Sequence, residues 1–399
     1  VKLKLPINRL FTENAPVLAD LGDVRDNYEA IDIPFRRASS DSINRIIILR
    51  HGAIGDVVVE TPALEAIRNR FPSAHITLLC EPYSAPILEG LPYYDAMVVA
   101  RDRPGARLIY YRQLLQLRKS KFDLLIAMRG TGRFRMQAVF IGGKIRLGHA
   151  STRLGMSMFN RIGRVEPGRH RVQHAVEFLR PLGIEPRSDE MHLRVAVSDQ
   201  YRAEARQLLL ENGIKRPYVV IHATFSGRPA NETWSDHNFV RVAEGLHQMG
   251  FDIVMTSGTS EAKVVERIQS ICKIPIFNAA GKTHPRVLAA VLERAELYFG
   301  YNTGAMHIAA AVGIPIVAIF ERPSKLPEWR PWTDSPFKVL IPEASETESG
   351  GEAQYVANHI RPWQVMEVIE TILKESERYP RNVALSSKLP LHSGLRNFG

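Results

Sequence analysis

Cysteine is scarce in this chain: Cys80 and Cys272 are the only 2 among 399 residues. They stand far apart in apolar surroundings, so they read as small core residues and not as a disulfide or a metal pair. That usage fits a reducing cytoplasm. No run of eighteen apolar residues occurs, so no transmembrane helix is expected. The first forty or so residues lack the basic, apolar and small-residue order of a secretory signal. Neither a Walker A run nor G-x-S-x-G is present, and the His and Cys spacings form no metal site. Acid is also short. Asp and Glu number 42 against 52 Lys and Arg, a net charge of +10, and much of the excess lies between Arg101 and Arg187. Such a field attracts polyanions: nucleic acid, an anionic membrane surface or a phosphorylated acceptor. A solvated basic face that aids solubility is an equally weighted reading. Without a nucleic-acid motif, nucleic acid falls behind the other partners.

What is present is a globular α/β pattern. An apolar fraction of 45% over 399 residues suffices for two domains with sizeable cores. Residues 1–42 read as an extension with scattered Pro and charge. From residue 43 the pattern becomes regular. Strands are predicted at 45–50, 75–80, 96–100 and 122–128, and helices at 57–70, 84–90 and 108–120. Between 130 and 171 the pattern weakens, with pieces at 136–141 and 146–149 in a stretch dominated by glycine, arginine and histidine. A helix at 174–182 and a Pro-containing connection at 183–199 follow. The second series alternates again: helix 201–212, strand 218–222, helix 235–250, strand 251–256, helix 261–271, strand 276–278, helix 285–293, strand 297–300, helix 305–312 and strand 314–320. A helix at 363–376 precedes a polar tail. Strands alternating with helices imply parallel sheets covered on both faces. The predicted boundaries are 43–195 and 196–362, with 363–399 as terminal helix and tail.

Three stretches carry chemistry. In Ile46-Ile47-Ile48-Leu49-Arg50-His51-Gly52-Ala53-Ile54-Gly55-Asp56 an apolar strand breaks into a glycine-flanked loop that ends on an acid. A helix follows, so the loop lies at the C-terminal edge of a sheet, where open α/β folds bind ligands. Asp56 is the acid or base candidate there, and helix capping is its plainer role. His51 either orients a bound acceptor or ends the strand. In Tyr298-Phe299-Gly300-Tyr301-Asn302-Thr303-Gly304-Ala305-Met306-His307 a strand again opens a helix through small residues. Backbone N–H groups can approach an anion at such a helix start, and a simple Asn302 or Thr303 cap is the alternative. His307 reads as a packing histidine. The third stretch is His222-Ala223-Thr224-Phe225-Ser226-Gly227-Arg228. Its Thr224, Ser226 and Arg228 can donate to phosphate oxygens.

Together and in this order these stretches resemble glycosyltransferase family 9, whose best-known members are the ADP-heptose:lipopolysaccharide heptosyltransferases. The resemblance rests on Gly55-Asp56 followed by Thr61-Pro62-Ala63-Leu64, and on the run Asn302-Thr303-Gly304-Ala305-Met306-His307-Ile308-Ala309-Ala310. It implies a GT-B fold: two Rossmann-like domains with parallel sheets facing across a cleft, and a terminal helix that crosses back to the first domain. It implies inverting transfer from a nucleotide-sugar, such as ADP-heptose, with no metal and no other cofactor. Asp56 would be the general base. Acceptor would lie by His51, Gly52 and Gly55. Donor would lie by Thr224, Ser226, Arg228, Asn302, Thr303, Gly304 and His307.

Two positions depart from the family. Asn302 stands where Asp is usual, and Glu232 stands where a phosphate-binding Lys is usual. Arg228 or Arg322 would then supply the positive charge. The reading is a glycosyltransferase that moves a heptose or related sugar to a hydroxyl of a cell-envelope glycan such as lipopolysaccharide core. Its acceptor would be an anionic glycan or glycolipid. The protein would be cytoplasmic, with peripheral contact to the inner face of an anionic membrane. A sugar-nucleotide epimerase of the same fold, or a non-catalytic nucleotide-sugar or glycan-binding protein, are the alternatives.

Overall fold

A computed structural model describes residues 43–376 apart from 51, 102–104, 106, 130, 150–157, 188–190, 226–232 and 346–353. The first half contains strands β1 (Arg45–Arg50), β2 (His75–Cys80), β3 (Ala96–Val99), β4 (Leu124–Ala127), β5 (Ile145–Gly148) and β6 (Arg161–Ile162). Between them lie helices α1 (Ile54–Val59), α2 (Thr61–Arg70), α3 (Ala85–Leu88), α4 (Arg107–Arg118) and α5 (Gly132–Ile141), and α6 (Arg171–Glu177) follows. The second half contains α7 (Asp199–Glu211), β7 (Tyr218–His222), α8 (Asp236–Gln248), β8 (Asp252–Thr256), α9 (Ala262–Ile271), β9 (Ile276–Asn278), α10 (Pro285–Glu293), β10 (Leu297–Tyr301), α11 (Gly304–Val312), β11 (Ile316–Ile319), α12 (Leu326–Trp329) and β12 (Phe337–Leu340). A two-residue ribbon of β13 (Ala344–Ser345) and β14 (Gln354–Tyr355) precedes the last described helix, α13 (Pro362–Ser376).

Each half builds one six-stranded sheet, in the orders β3-β2-β1-β4-β5-β6 and β12-β11-β10-β7-β8-β9. All pairings within both sheets are parallel. Counted from the first strand of each half, the two orders are the same. Winding reverses between β1 and β4 in one sheet and between β7 and β10 in the other. This is the doubly wound topology of a dinucleotide-binding fold, built twice, and it agrees with the GT-B expectation. The strands are apolar without alternation because helices cover both faces: Ile46, Ile47, Ile48 and Leu49 of β1 are all fully buried.

Local physics explains where the elements differ from their predicted bounds. The helix expected at 57–70 is two, broken at Glu60. Pro62 has no N–H to give to the Val58 carbonyl four residues earlier. The Thr61 hydroxyl donates to that oxygen instead, at 2.8 Å. The weak region 130–171 contains α5, β5 and the two-residue β6. Its strands are short and lean on glycine, with the Phe159 and Phe178 rings filling the space beside Gly148 and Gly163, so neither strand carries a periodic signal. Edge strand β12 is only partly buried and was likewise illegible. Ser235 caps α8, its hydroxyl accepting from Asn238 N–H at 3.3 Å.

Val365, Ile369 and Ile372 of α13 join the core of the second sheet, with Phe239, Val242 and Leu246 of α8.

Four histidines sit in desolvated places. His149 stacks on the Phe178 ring at 4.2 Å, and His170, His222 and His307 are buried. Burial pushes His149, His170 and His222 down to about 4, and His307 to about 3. Their neutral forms are therefore favoured by folding. That stability is complete above the ordinary histidine value of about 6.5 and is lost as pH falls toward 4. Burial acts oppositely on Glu60, raising it to about 7; its share fades as pH rises from 4.5 to 7. Four groups outweigh one. Denaturant unfolding should therefore show several kcal/mol less stability at pH 4.5 than at pH 7, and equal or greater stability at pH 4.5 would refute the neutral buried imidazoles.

Candidate active site

The first switch point is the ends of β1 and β4. Arg50, the last residue of β1, is 1% exposed and pairs through Nε with Glu60 Oε2 at 2.6 Å. The chain then turns at Gly52, whose φ is +135°. A Cβ there would stand 2.9 Å from Asp56 Oδ2 and 3.4 Å from Arg50 Nη1, so only glycine lets the loop close over these charges. Asp56 occupies the first turn of α1, and its Oδ2 accepts from Ala53 N–H at 3.1 Å. The capping role is real. Its Oδ1 is ion-paired with Arg129, just beyond β4. The Asp56 side chain keeps 15% exposure and Arg129 37%, so the pair is open to a bound molecule.

Arg129 was missed by sequence reasoning. It lies in the basic stretch, and nothing local marks it. Only the pairing of β1 with β4 brings it to Asp56. The same holds for Glu60, which reads as a helix residue in sequence and is a buried partner of Arg50 in the fold. Burial raises Glu60 most strongly, and the Arg50 charge opposes that shift.

The second switch point is the ends of β7 and β10. These strands approach closely: a Cβ on Gly300 would stand 2.5 Å from the His222 carbonyl oxygen. His222 Nδ1 is hydrogen-bonded to Thr256 Oγ1 at 2.9 Å, and Thr224 Oγ1 lies 3.5 Å from His222 Nε2. Thr224 is thus buried against its own strand end. Ser226, Arg228, Glu232 and, in the first half, His51 lie outside the described residues. After β10, Asn302 is half-buried and its N–H donates to the Ile319 carbonyl at 3.2 Å. Thr303 holds the N-cap position of α11, yet its side chain makes no capping bond and lies 3.4 Å from the Tyr298 hydroxyl. The plain capping alternative for this loop is therefore not realised. The amide end of α11 has no side-chain cap, which suits it to an anion. Arg322 is exposed beyond β11, one strand further along the same edge.

The two switch points meet. α1 packs on α11, and the contact is glycine on glycine. A Cβ on Gly55 would stand 3.3 Å from Gly304 Cα and 3.0 Å from His307 Cδ2; one on Gly304 would stand 3.1 Å from Gly55 N. His307 is buried under this contact, with no hydrogen-bond partner for Nδ1 among the described residues and its ring 5.7 Å from Trp329. It packs between elements, as its apolar helix suggested. Further bonds tie the halves: Arg286 Nη1 to Glu89 at 3.2 Å, His170 Nε2 to the Arg330 carbonyl at 2.9 Å, and Arg171 to Glu328 at 3.2 Å. Gly55, the residue before Asp56, is thereby brought against Gly304 and His307. Thr224, Asn302 and Thr303 share the second sheet's edge. Among the described residues no group of three or more His, Cys, Asp or Glu is arranged to hold a metal ion.

Such a site offers a carboxylate held by a guanidinium on one wall and an uncapped helix N-terminus on the other. Comparison with known proteins agrees with that geometry. The profile of glycosyltransferase family 9 (heptosyltransferase) matches residues 111–354, more than half of the chain. Lipopolysaccharide heptosyltransferase 3 of Escherichia coli K12 is 27% identical over 292 residues, 70% of this chain and 83% of that one. In structure, the family 9 glycosyl transferase of Veillonella parvula superposes with a TM-score of 0.73 at 23% identity, covering 84% of this chain and 98% of that one. The ADP-heptose lps heptosyltransferase II of E. coli gives 0.70 at 17% identity, covering 84% and 99%. The chain belongs to glycosyltransferase family 9 and is a glycosyltransferase.

Proposed function

We propose that the chain moves a heptose or related sugar from a nucleotide-sugar to a hydroxyl of a cell-envelope glycan, in the class of lipopolysaccharide core, by a single inverting displacement that needs no metal or other cofactor. The observation that carries this reading is the meeting of Asp56 with the uncapped end of α11 across the Gly55–Gly304 contact. The relatives act in the same chemistry by name: one is a lipopolysaccharide heptosyltransferase, another an ADP-heptose enzyme.

An acceptor hydroxyl is a weak nucleophile until its proton is taken as the new bond forms. In the proposed step its oxygen attacks C1 of the sugar while Asp56 accepts the proton. The bond from C1 to the diphosphate oxygen breaks, and the electron pair leaves with the nucleoside diphosphate. Attack opposite the leaving group inverts C1. Arg129 holds the Asp56 carboxylate in place before the acceptor arrives. The developing charge on the diphosphate meets the amide end of α11. His51, Gly52 and Gly55 border the acceptor; Ser226, Arg228, Asn302, Thr303, Gly304 and Arg322 border the donor, and Thr224 and His307 support that wall from buried positions. Asn302 offers an amide where the family's usual acid would only accept. That exchange, with Glu232 in place of the usual Lys, tunes the choice of donor, and Arg228 or Arg322 supplies positive charge. The protein works on the cytoplasmic side of the envelope membrane.

With a matched donor and acceptor, Asp56→Asn should lower turnover by at least about 100-fold while nucleotide still raises the melting temperature. Retained turnover would exclude Asp56 as the base. Arg129→Met should reduce kcat/KM for acceptor by roughly 10- to 100-fold, the worth of one charge-assisted hydrogen bond, with donor affinity unchanged in a nucleotide titration. Gly304→Ala should weaken donor binding and lower the melting temperature, since its Cβ meets the backbone of Gly55. Absence of nucleotide-induced stabilisation by ADP, UDP, GDP or CMP would overturn the glycosyl-transfer reading as a whole.

A further inference from the structure

Helix α4 is apolar on both of its faces. Tyr110 and Leu114 point inward and are buried with Phe134, Ala138 and Ile141 of α5 against the first sheet. On the outer side, Leu108 is 75% exposed, Ile109 50% and Leu115 47%, and Val139 of neighbouring α5 is 51% exposed. Leu108, Arg112, Leu115 and Lys119 recur at helical spacing, and all four are exposed. The helices lie side by side: Arg118 Nη1 donates to the Val139 carbonyl at 3.1 Å, and the Tyr111 and Phe140 rings stand 5.1 Å apart. The other exposed large apolar residues, Tyr83, Val99, Leu210, Met249, Ile271 and Trp363, occur singly along the chain. Scattered single residues of that kind are ordinary, whereas a cluster marks a surface that is covered in use.

The charge around this cluster has one sign. From 103 to 165 the sequence holds fourteen Lys and Arg and one acid, Asp123. That acid is committed internally, accepting from Asn44 N–H, Arg45 N–H and Lys144 Nζ. Arg133 is paired with Glu81, while Arg107, Arg112, Arg118 and Lys119 stay exposed beside the apolar side chains. Nucleic acid would match the charge but not the leucines. An anionic lipid surface matches both, taking apolar side chains below its headgroups and cations among its phosphates. The placement is also apt. In a parallel sheet each connecting helix runs back against the strands, so α4 begins at the edge where β1 and β4 end. Leu108 and Ile109 therefore lie at the same sheet edge as Asp56 and Arg129.

We propose that the outer face of α4, with Val139 of α5, docks the protein onto an anionic lipid bilayer, at the sheet edge that carries Asp56. The proposal stands apart from the transfer chemistry, because lipid binding is read without donor or acceptor. Sedimentation of the full chain with phosphatidylglycerol–phosphatidylethanolamine vesicles tests it against pure phosphatidylcholine vesicles. Binding to the anionic vesicles should be tighter by about 10-fold or more, and Leu108→Glu with Leu115→Glu should remove at least about 10-fold of it at an unchanged melting temperature. If that pair lowers the melting temperature, Leu115→Gln alone should still weaken binding several-fold. Equal binding to both lipids, no binding to anionic vesicles, or full binding by a folded Leu108→Glu, Leu115→Glu protein would each overturn the proposal. So would competition by duplex DNA that ignores the leucine substitutions, which would mark a purely electrostatic polyanion site.

Discussion

The close approach of Gly55 and Gly304 is the constraint on which the rest of this structure depends. Two helix starts, one from each sheet, can touch backbone to backbone only where neither carries a side chain. A methyl group on either would meet main-chain atoms within about 3.3 Å, and main chain in packed helices does not yield cheaply. The contact sets the two switch points face to face. It also buries His307 between α1, α11 and Trp329, which is why that imidazole is held neutral. A site split between two sheets is thereby made one site.

Charges around the first loop alternate. Glu60 pairs with Arg50 beneath the loop, Arg50 and Asp56 both border Gly52, and Asp56 pairs with Arg129 above it. Buried pairs add little net stability, but breaking one strands a charge in a medium that cannot solvate it. The break between α1 and α2 belongs to the same arrangement. Pro62 ends one helix and starts the next, and the intervening Glu60 turns its carboxylate to Arg50.

The second half shows the complementary logic. Its loop after β10 presents amides rather than charges, and Thr303 leaves the start of α11 uncapped while leaning on Tyr298. Basic residues are instead concentrated in the first half. A polar cradle thus stands on one wall, and a cationic, partly apolar surface lies around the other.

Most of the strand and helix order was legible because it rests on local periodicity. β1, β7, β9 and α10 match their predicted ranges, and the loops holding Asp56 and Asn302 were found from glycine, small residues and the strand–helix order alone. The family resemblance was legible for the same reason, since its motifs are contiguous. What failed in sequence was short or long-range. β6 and β12 are too brief or too exposed to show a period. Arg129 reaches Asp56 only through the β1–β4 pairing, and Glu60 finds Arg50 only where the helix breaks. The sequence by itself determined which strand-to-helix loops stand at the two sheet edges. The tertiary structure alone decided that they face each other, because glycine's usefulness at a contact lies in what stands opposite it.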